Sequence, residues 1–141
     1  MLQYSLSDLE GLDWKRRHYV EADGVLYGYD KAAPPELALS VPGIAVDLVR
    51  VRPNRVIPEH YHETAEEDFV VIFGEAVFQT RGTDDVPCTE TTVKTGDVLR
   101  LNPPERHRVV NSSKGPLYLY RTAKKVDGDY VMTERPELFG K

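Results

Sequence analysis

The chain has 141 residues, 40% of them hydrophobic and 29% charged, which is typical of one globular domain and excludes a disordered or fibrous protein. Its formal net charge of −5 argues against nucleic acid or an anionic membrane as the main partner. A single cysteine, Cys88, excludes an internal disulfide, and no apolar run reaches the roughly 18 residues of a membrane helix. The N-terminus lacks the basic and apolar segments of a secretory signal, so we predict a cytoplasmic protein.

The first predicted elements are a single helical turn and a β-hairpin. Ser7 is the predicted N-cap of the turn, and Gly11 ends it. Two strands over about residues 14–30 then flank Asp23-Gly24, a dipeptide that favours tight hairpin turns. We therefore predict an N-terminal hairpin extension.

Short β-rich segments fill the rest of the chain after Pro34-Pro35. Gly or Pro turns separate them at intervals of roughly 8 to 12 residues, which is typical of an all-β sandwich or barrel. No internal repeat or linker divides the chain, so we predict a single domain over residues 1–141 with its barrel at about 44–122. The predicted strands are 44–52, 56–62, 68–73, 76–80, 89–93, 98–102, 108–111, 117–122 and 130–133.

Four side chains in this region indicate a metal site. Residues two apart on a strand point to the same face, so His60 and His62 present two imidazoles side by side. After a short turn, Glu67 opens the next antiparallel strand and can aim a carboxylate at the same point. His107 can add an imidazole from across the barrel. Imidazole is a good ligand for iron, manganese, nickel, copper and zinc, so we predict a divalent transition metal.

Three of these residues, His60, His62 and Glu67, match the first motif of the cupin family, which the chain resembles over about residues 45–122. The motif is G-x5-H-x-H-x3,4-E-x6-G, and Asn54 replaces its first glycine. Asn tolerates the left-handed turn conformation better than most residues, so this departure is mild. The matching residues are His60, His62, Glu67 and Gly74.

The second cupin motif, G-x5-P-x-G-x2-H-x3-N, is matched in part. Gly96, His107 and Asn111 are in register, whereas Asn102 and Pro104 replace the motif's proline and second glycine. The spacing from the first glycine to the histidine is intact, so the fourth ligand position is retained.

The resemblance implies a fold and a ligand set. The fold is a cupin-type double-stranded β-helix, or jelly-roll barrel, and the site holds one divalent metal, with iron favoured over manganese, zinc and nickel. Glu66 is a rival for the carboxylate position because the motif allows three or four intervening residues, but the spacing to Gly74 favours Glu67. The alternative is a barrel that has lost its metal, although all four ligand types are present. The implied ligands are His60, His62, Glu67 and His107.

The resemblance leaves several activities open, because cupins include dioxygenases, isomerases, epimerases, decarboxylases, lyases and cyclases. We predict a metal-dependent enzyme that acts on a small polar or carboxylated metabolite, and an Fe(II)-type dioxygenase is the narrowest version. One alternative is a redox-neutral zinc or manganese isomerase, cyclase or lyase. The other is a non-catalytic cupin that binds or senses a small molecule.

Five further residues are candidates for catalysis. Arg50 and Arg52 alternate with valines, and Arg100 lies between two leucines. If these arginines face the barrel interior they would clamp a carboxylate substrate; the alternative is that they lie outside in water. Tyr118 and Tyr120 share one face of a strand and are acid/base or hydrogen-bonding candidates, with aromatic packing as the alternative.

The N-terminal hairpin carries much aromatic surface. Cupins commonly pair through such strands, so the resemblance implies a homodimer, and the alternative is that the hairpin folds onto its own barrel. We interpret Lys15-Arg16-Arg17 and His18 as solvated residues of the hairpin. Its aromatic residues are Trp14, Tyr19, Tyr27 and Tyr29.

Overall fold

The structure is a computed structural model that describes residues 5–34 and 43–139, so the second proline of the predicted Pro34-Pro35 break lies outside the described residues. Among these residues, no helix is both long and apolar enough to cross a membrane. The elements are α1 (Leu6–Glu10), β1 (Lys15–Ala22), β2 (Val25–Ala32), β3 (Ile44–Val51), β4 (Arg55–His62), β5 (Glu67–Phe73), β6 (Glu75–Arg81), β7 (Thr89–Lys94), β8 (Val98–Leu101), β9 (Arg106–Val110), β10 (Leu117–Lys124), β11 (Tyr130–Met132) and a 3-10 helix at Pro136–Leu138.

The strands form one curled sheet. Its path runs β7-β6-β9-β4-β2-β3-β10-β5-β8, with β1 added to β2 and β11 added to β4. Strands β5 and β6 are far apart along this path, yet Phe69 of β5 packs against Phe78 of β6 with ring centroids 5.6 Å apart. The sheet therefore closes on itself around an apolar core, and the predicted all-β architecture is confirmed. The buried core residues are Val49, Val51, Ile57, Phe69, Val71, Ala76, Phe78, Val93, Leu101, Val109, Leu117 and Leu119.

The N-terminal hairpin forms as predicted. Asp23 and Gly24 both have positive φ angles, 51° and 77°, as a two-residue turn between twisted strands requires. The hairpin is also part of the barrel, because β2 pairs in parallel with β4 and antiparallel with β3. What the sequence suggested as an extension therefore supplies an internal strand of the sheet.

Most predicted strand ends shift by one or two residues in the structure, and two local differences have a clear physical cause. The N-cap of α1 is Ser5, not Ser7, because Ser5 and Asp8 each accept a hydrogen bond from the other's backbone N–H. Strand β9 begins at Arg106, so His107 lies inside a strand rather than in the turn before it. Its Cα is therefore paired in register with that of His60 on β4.

A second apolar cluster covers the outer face of β3 and β10. Leu9 of α1 packs there with Leu48 and Tyr118, and Trp14 lies against the cluster. The indole N–H of Trp14 donates to the Leu9 carbonyl at 2.8 Å, which fixes the short helix on the sheet. This layer uses one face of β10 for packing and leaves the other face for the barrel interior.

Gly74, the last residue of the cupin-like first motif, occupies a position that only glycine fits without strain. Its φ is 109°, and a Cβ at this position would lie 2.6 Å from the backbone oxygen of Pro116. We expect Gly74→Ala to lower the free energy of unfolding by about 2 kcal/mol, because both the backbone conformation and the contact are strained. Urea denaturation measures the change.

Gly82→Ala is the matched control, since no atom lies within 4 Å of its built Cβ. Equal unfolding midpoints for the two variants would contradict the explanation.

Candidate metal centre

Three predicted ligands lie together at one end of the barrel. His60, His62 and Glu67 each place a ligand atom within 4.8 Å of the others. The alternation of β4 puts the two imidazoles on one face, and β5 begins at the glutamate, directly after the turn that follows β4. His60 and Glu67 are buried, at 7% and 1% exposure, so this carboxylate is shielded from water.

His107 joins the group from β9. Its ring centroid is 4.1 Å from that of His60, and its Nε2 lies 3.1 Å from Oε1 of Glu67. His62 places its own Nε2 3.1 Å from the same oxygen. Oε1 of Glu67 is therefore the point on which imidazoles from two strands converge, and the structure brings all four predicted ligands together.

Two atoms at this point lack hydrogen bonds. Among the described residues, Glu67 Oε1 and His107 Nε2 are buried and have no hydrogen-bond partner, although they lie 3.1 Å apart. Buried polar atoms in a folded protein nearly always have a partner, and a cation bound between these two atoms would supply one for both. Two ligand atoms that each lie about 2.1 Å from a metal and form a right angle at it are about 3.0 Å apart, close to the 3.1 Å observed here. The residues present therefore fit a divalent transition metal.

The opposite ring nitrogens orient the imidazoles. In both His60 and His107, Nδ1 faces the carbonyl oxygen two residues earlier, at 2.9 and 3.4 Å respectively. His62 Nδ1 lies 3.6 Å from Oδ2 of Asp129. With Nδ1 directed at an oxygen, Nε2 is left free to bind metal. Burial, reinforced by the neighbouring His107, lowers the pKa of His60, so its imidazole is held in the neutral form that binds metals.

Arg121 of β10 holds the other oxygen of the carboxylate. Its Nε donates to Glu67 Oε2, and its Nη1 donates to Asp47 Oδ2 at 2.9 Å. Burial opposes ionisation of Glu67, but the contacts with the imidazoles and with Arg121 outweigh it and place the pKa of Glu67 below its usual range. The glutamate is therefore ionised, with Oε1 directed at the imidazoles.

The rival carboxylate Glu66 does not face this point. Its side chain is 56% exposed and lies 3.4 Å from Arg100 at the surface. The alternation of the chain into β5 directs Glu67 inward and its neighbour outward, as the motif spacing favoured.

The candidate arginines lie outside the cavity. Arg50 and Arg52 approach the buried carboxylate of Asp30 at 2.8 and 3.4 Å, and Arg50 also stacks over the Trp14 ring. Val49 and Val51 occupy the interior face of β3, so strand alternation turns the arginines to the other face. Arg100 is exposed and paired with Asp68 at 2.8 Å.

The candidate tyrosines also lie outside. Tyr118 is buried in the outer cluster beneath α1, and Tyr120 packs against the same cluster. Leu117 and Leu119 take the interior face of β10, which leaves the tyrosines on the outer one. The structure therefore places none of the five catalytic candidates at the site.

The metal-ligand cluster opens into a cavity of about 300 Å³. Several of its residues were not predicted from the sequence, although one signal was present: Leu117, Leu119 and Arg121 share the inward face of β10 by simple alternation. The hairpin residues Arg17 and His18, interpreted above as solvated, also line the cavity. The lining residues are Arg17, His18, Tyr29, Lys31, Val49, Ile57, His60, His62, Glu67, Phe69, Arg121 and Tyr130.

The C-terminal strand completes the site. Strand β11 pairs with β4 and places the Tyr130 ring 4.8 Å from that of His60. Asp129 is buried and accepts hydrogen bonds from the Thr64 amide and hydroxyl at 2.8 and 2.7 Å and from the Ala65 amide at 3.1 Å. It thereby fixes the turn that joins the ligand-bearing strands β4 and β5.

Comparisons with known proteins agree with this arrangement. Residues 47–122 match the family model described as the Cupin domain, and this stretch contains all four converging residues. A comparison with curated proteins found no match.

Solved structures of similar fold share little sequence with the chain. A predicted oxalate decarboxylase from Thermotoga maritima has a TM-score of 0.63 at 18% identity, with 83% of this chain and 96% of that chain covered. An uncharacterised protein with a double-stranded β-helix domain from Klebsiella pneumoniae has a TM-score of 0.59 at 19% identity, with 83% and 91% covered. An oxalate oxidase has a TM-score of 0.58 at 22% identity over 64% of this chain, which spans 46% of the oxidase. These similarities confirm the predicted double-stranded β-helix.

Arg121→Lys should weaken metal binding. Lysine keeps the positive charge but cannot bridge Glu67 and Asp47 with a planar fork, so the glutamate loses its fixed orientation. We expect the dissociation constant for Mn²⁺, measured by titration calorimetry, to rise about 10-fold. Arg100→Lys, which alters an exposed arginine–aspartate pair, is the control, and an unchanged constant for Arg121→Lys would show that the arginine does not orient the ligand.

Proposed function

This chain belongs to the cupin family, and on that premise we propose that it is a metal-dependent enzyme acting on a small polar or carboxylated metabolite. The observation that carries the proposal is the convergence of His60, His62 and His107 near Glu67, with two buried ligand atoms left without hydrogen bonds. A cavity of about 300 Å³ is at the lower end of the range for small-molecule sites, so it favours a small substrate.

A metal held by these four residues would act as a Lewis acid on a substrate oxygen and, if it is iron, would supply redox chemistry toward O₂. The protein's own part is to orient the substrate and exclude water. Val49, Ile57 and Phe69 form an apolar wall of the cavity, and the Tyr130 ring packs against the imidazoles of His60 and His62 at centroid distances of 4.8 and 5.6 Å.

The charge of the site favours an anionic substrate. The imidazoles contribute no charge when they bind a metal, and the negative charge of Glu67 is already paired with Arg121. A bound dication would therefore leave the centre positively charged, with low-dielectric walls around it. A carboxylate substrate would balance this charge.

An Fe(II)-type dioxygenase remains the narrowest form of the proposal. The similar folds of an oxalate oxidase and of a predicted oxalate decarboxylase support chemistry on small carboxylic acids. The alternatives are a redox-neutral zinc or manganese isomerase, cyclase or lyase, and a non-catalytic cupin that binds or senses a small molecule. The identity of the metal separates these alternatives.

Elemental analysis of untagged protein tests the proposal. We expect about one transition-metal ion per chain, and we expect His107→Ala to lose it because one of four ligands is removed. His18→Ala is the control, since this histidine lines the cavity but lies outside the ligand group.

The metal found directs the next step. Iron would support the dioxygenase and lead to oxygen-consumption assays with small carboxylic acids, whereas zinc or manganese would support redox-neutral chemistry. Failure of the wild-type protein to bind iron, manganese, zinc or nickel after reconstitution would contradict a metal-dependent enzyme.

A homodimer also remains a prediction. The hairpin packs within its own chain, so its aromatic residues no longer argue for a partner. Val98 is 71% exposed on β8 and Val70 is 36% exposed on β5, which leaves apolar surface at this edge of the sheet. Light scattering after size exclusion should give twice the chain mass of 16.0 kDa, and a mass of 16.0 kDa would refute the dimer.

The cytoplasmic location likewise stays a prediction.

A further inference from the structure

We propose that the N-terminal hairpin forms an anion-binding rim, in which Arg17 and Lys31 bind a carboxylate of the substrate at the mouth of the metal cavity. The substrate class is then a small dicarboxylate or a related acid, with one end at the metal centre and a carboxylate at the rim. The identity of the substrate rests on the proposed function, whereas anion binding by the rim can be measured independently.

The pairing of the strands places the rim on the same cavity as the metal ligands. Tyr29 and Lys31 are two residues apart on β2, so both side chains face the cavity. Arg17 of β1 is paired in register with Tyr29. Lys31 is in turn paired with Val49 of β3, whose side chain belongs to the cavity wall. A ligand between the metal centre and the rim would therefore lie within one continuous cavity.

An irregularity in β1 directs the rim residues inward. Neighbours on a regular strand point to opposite faces, yet Arg17 and His18 both line the cavity. The register of β1 against β2 shifts between Arg17 and Val20, and His18 has a φ of 55°. Such bulges re-aim side chains and are common next to active sites.

The bulge is fixed by a close contact on the hairpin. A Cβ on Gly28 would lie 2.5 Å from Cδ1 of Tyr19, so only glycine leaves space for this ring. The Tyr19 hydroxyl donates to the buried carboxylate of Asp30 at 2.9 Å. These contacts hold the Tyr19 ring of β1 against β2. They thereby maintain the irregular conformation of β1 in which Arg17 and His18 both line the cavity.

The charges of the rim leave one cation available for a ligand. Lys31 lies 3.5 Å from Asp47, and Arg121 is paired with Asp47 and Glu67. Within residues 5–34 and 43–139, Arg17 forms no ion pair, and its guanidinium donates to the backbone oxygen of Arg16 at 3.2 Å. Arg17, Lys31 and Arg121 thus line the cavity, and of these three cations only Lys31 and Arg121 pair with the two carboxylates of Asp47 and Glu67.

His18 supplies a hydrogen-bonding group rather than a further charge. Burial lowers the pKa of His18, and the charges of Arg17 and Lys31 add to this effect against the opposing charge of Glu137. Glu137 is itself paired with Arg135 at 3.0 Å. A neutral imidazole beside a guanidinium and an ammonium group is suited to bind the oxygens of a carboxylate.

Titration calorimetry with succinate tests the rim. The probe is added to metal-free and to Mn²⁺-loaded wild-type protein, and to Arg17→Gln and Arg16→Gln. Arg16 lies on the same strand and is not among the cavity residues, so its variant removes the same charge from outside the cavity. Both arginines are exposed, and circular dichroism verifies that both variants fold.

We expect Arg17→Gln to weaken succinate binding about 10-fold, which corresponds to about 1.4 kcal/mol, and Arg16→Gln to change it less than about 2-fold. If the two substitutions weaken succinate binding equally, the effect comes from the loss of net charge alone, and the proposal is overturned. Absence of succinate binding to both forms of the wild-type protein would also overturn it. Tighter binding of inorganic phosphate, with the same dependence on Arg17, would overturn the assignment to a carboxylate.

The same titrations separate this inference from the proposed function. If metal-free protein and His107→Ala bind succinate in an Arg17-dependent manner while no metal binds, the rim is supported and the metal-dependent enzyme is contradicted. If one metal binds per chain but succinate binding is independent of Arg17, the metal centre is supported and the rim is overturned.

Discussion

The buried carboxylate of Glu67 is the constraint on which the arrangement of the site depends. An ionised group that is 1% exposed must be paired, because its desolvation is otherwise very costly. Arg121 neutralises one oxygen, and His62 and His107 face the other at 3.1 Å each. Strands β4, β5, β9 and β10 all contribute to this one group. A dication would complete the set by satisfying the nitrogen and oxygen that lack hydrogen bonds.

Packing on both faces of the sheet sets which side chains reach this carboxylate. The interior face of β10 passes from Leu117 and Leu119 to Arg121 as it approaches the cavity, while its outer face carries Tyr118 beneath α1. The same division on β3 assigns the valines to the core and turns Arg50 toward Asp30. Of the residues predicted to be catalytic, Arg50, Arg52, Tyr118 and Tyr120 therefore belong to the outer layer of the barrel, and Arg100 lies on the exposed surface.

Segments distant in sequence complete the metal centre and its cavity. Asp129, near the C-terminal end of the described chain, fixes the turn between His62 and Glu67. The neighbouring Tyr130 packs against the imidazoles of β4. At the other end of the chain, β2 enters the sheet between β4 and β3 and carries Tyr29 and Lys31 to the cavity. The hairpin is therefore part of the cavity wall as well as of the barrel, and it brings the cations of Arg17 and Lys31 to the cavity.

The sequence by itself predicted an all-β barrel and placed His60 and His62 on one face of a strand, because the spacing of turns and the alternation along a strand are local properties of the chain. The set of four candidate ligands and the preference for Glu67 over Glu66 came from the cupin motifs. Alternation along β10 was also sufficient to predict that Arg121 shares the inward face with Leu117 and Leu119. Only the tertiary structure brought Arg17 and His18 to the cavity, since a bulge interrupts the alternation of β1 and its position depends on the packing of Tyr19 against Gly28. The contribution of Asp129 was likewise beyond local pattern, because it acts through contacts with a turn more than sixty residues earlier.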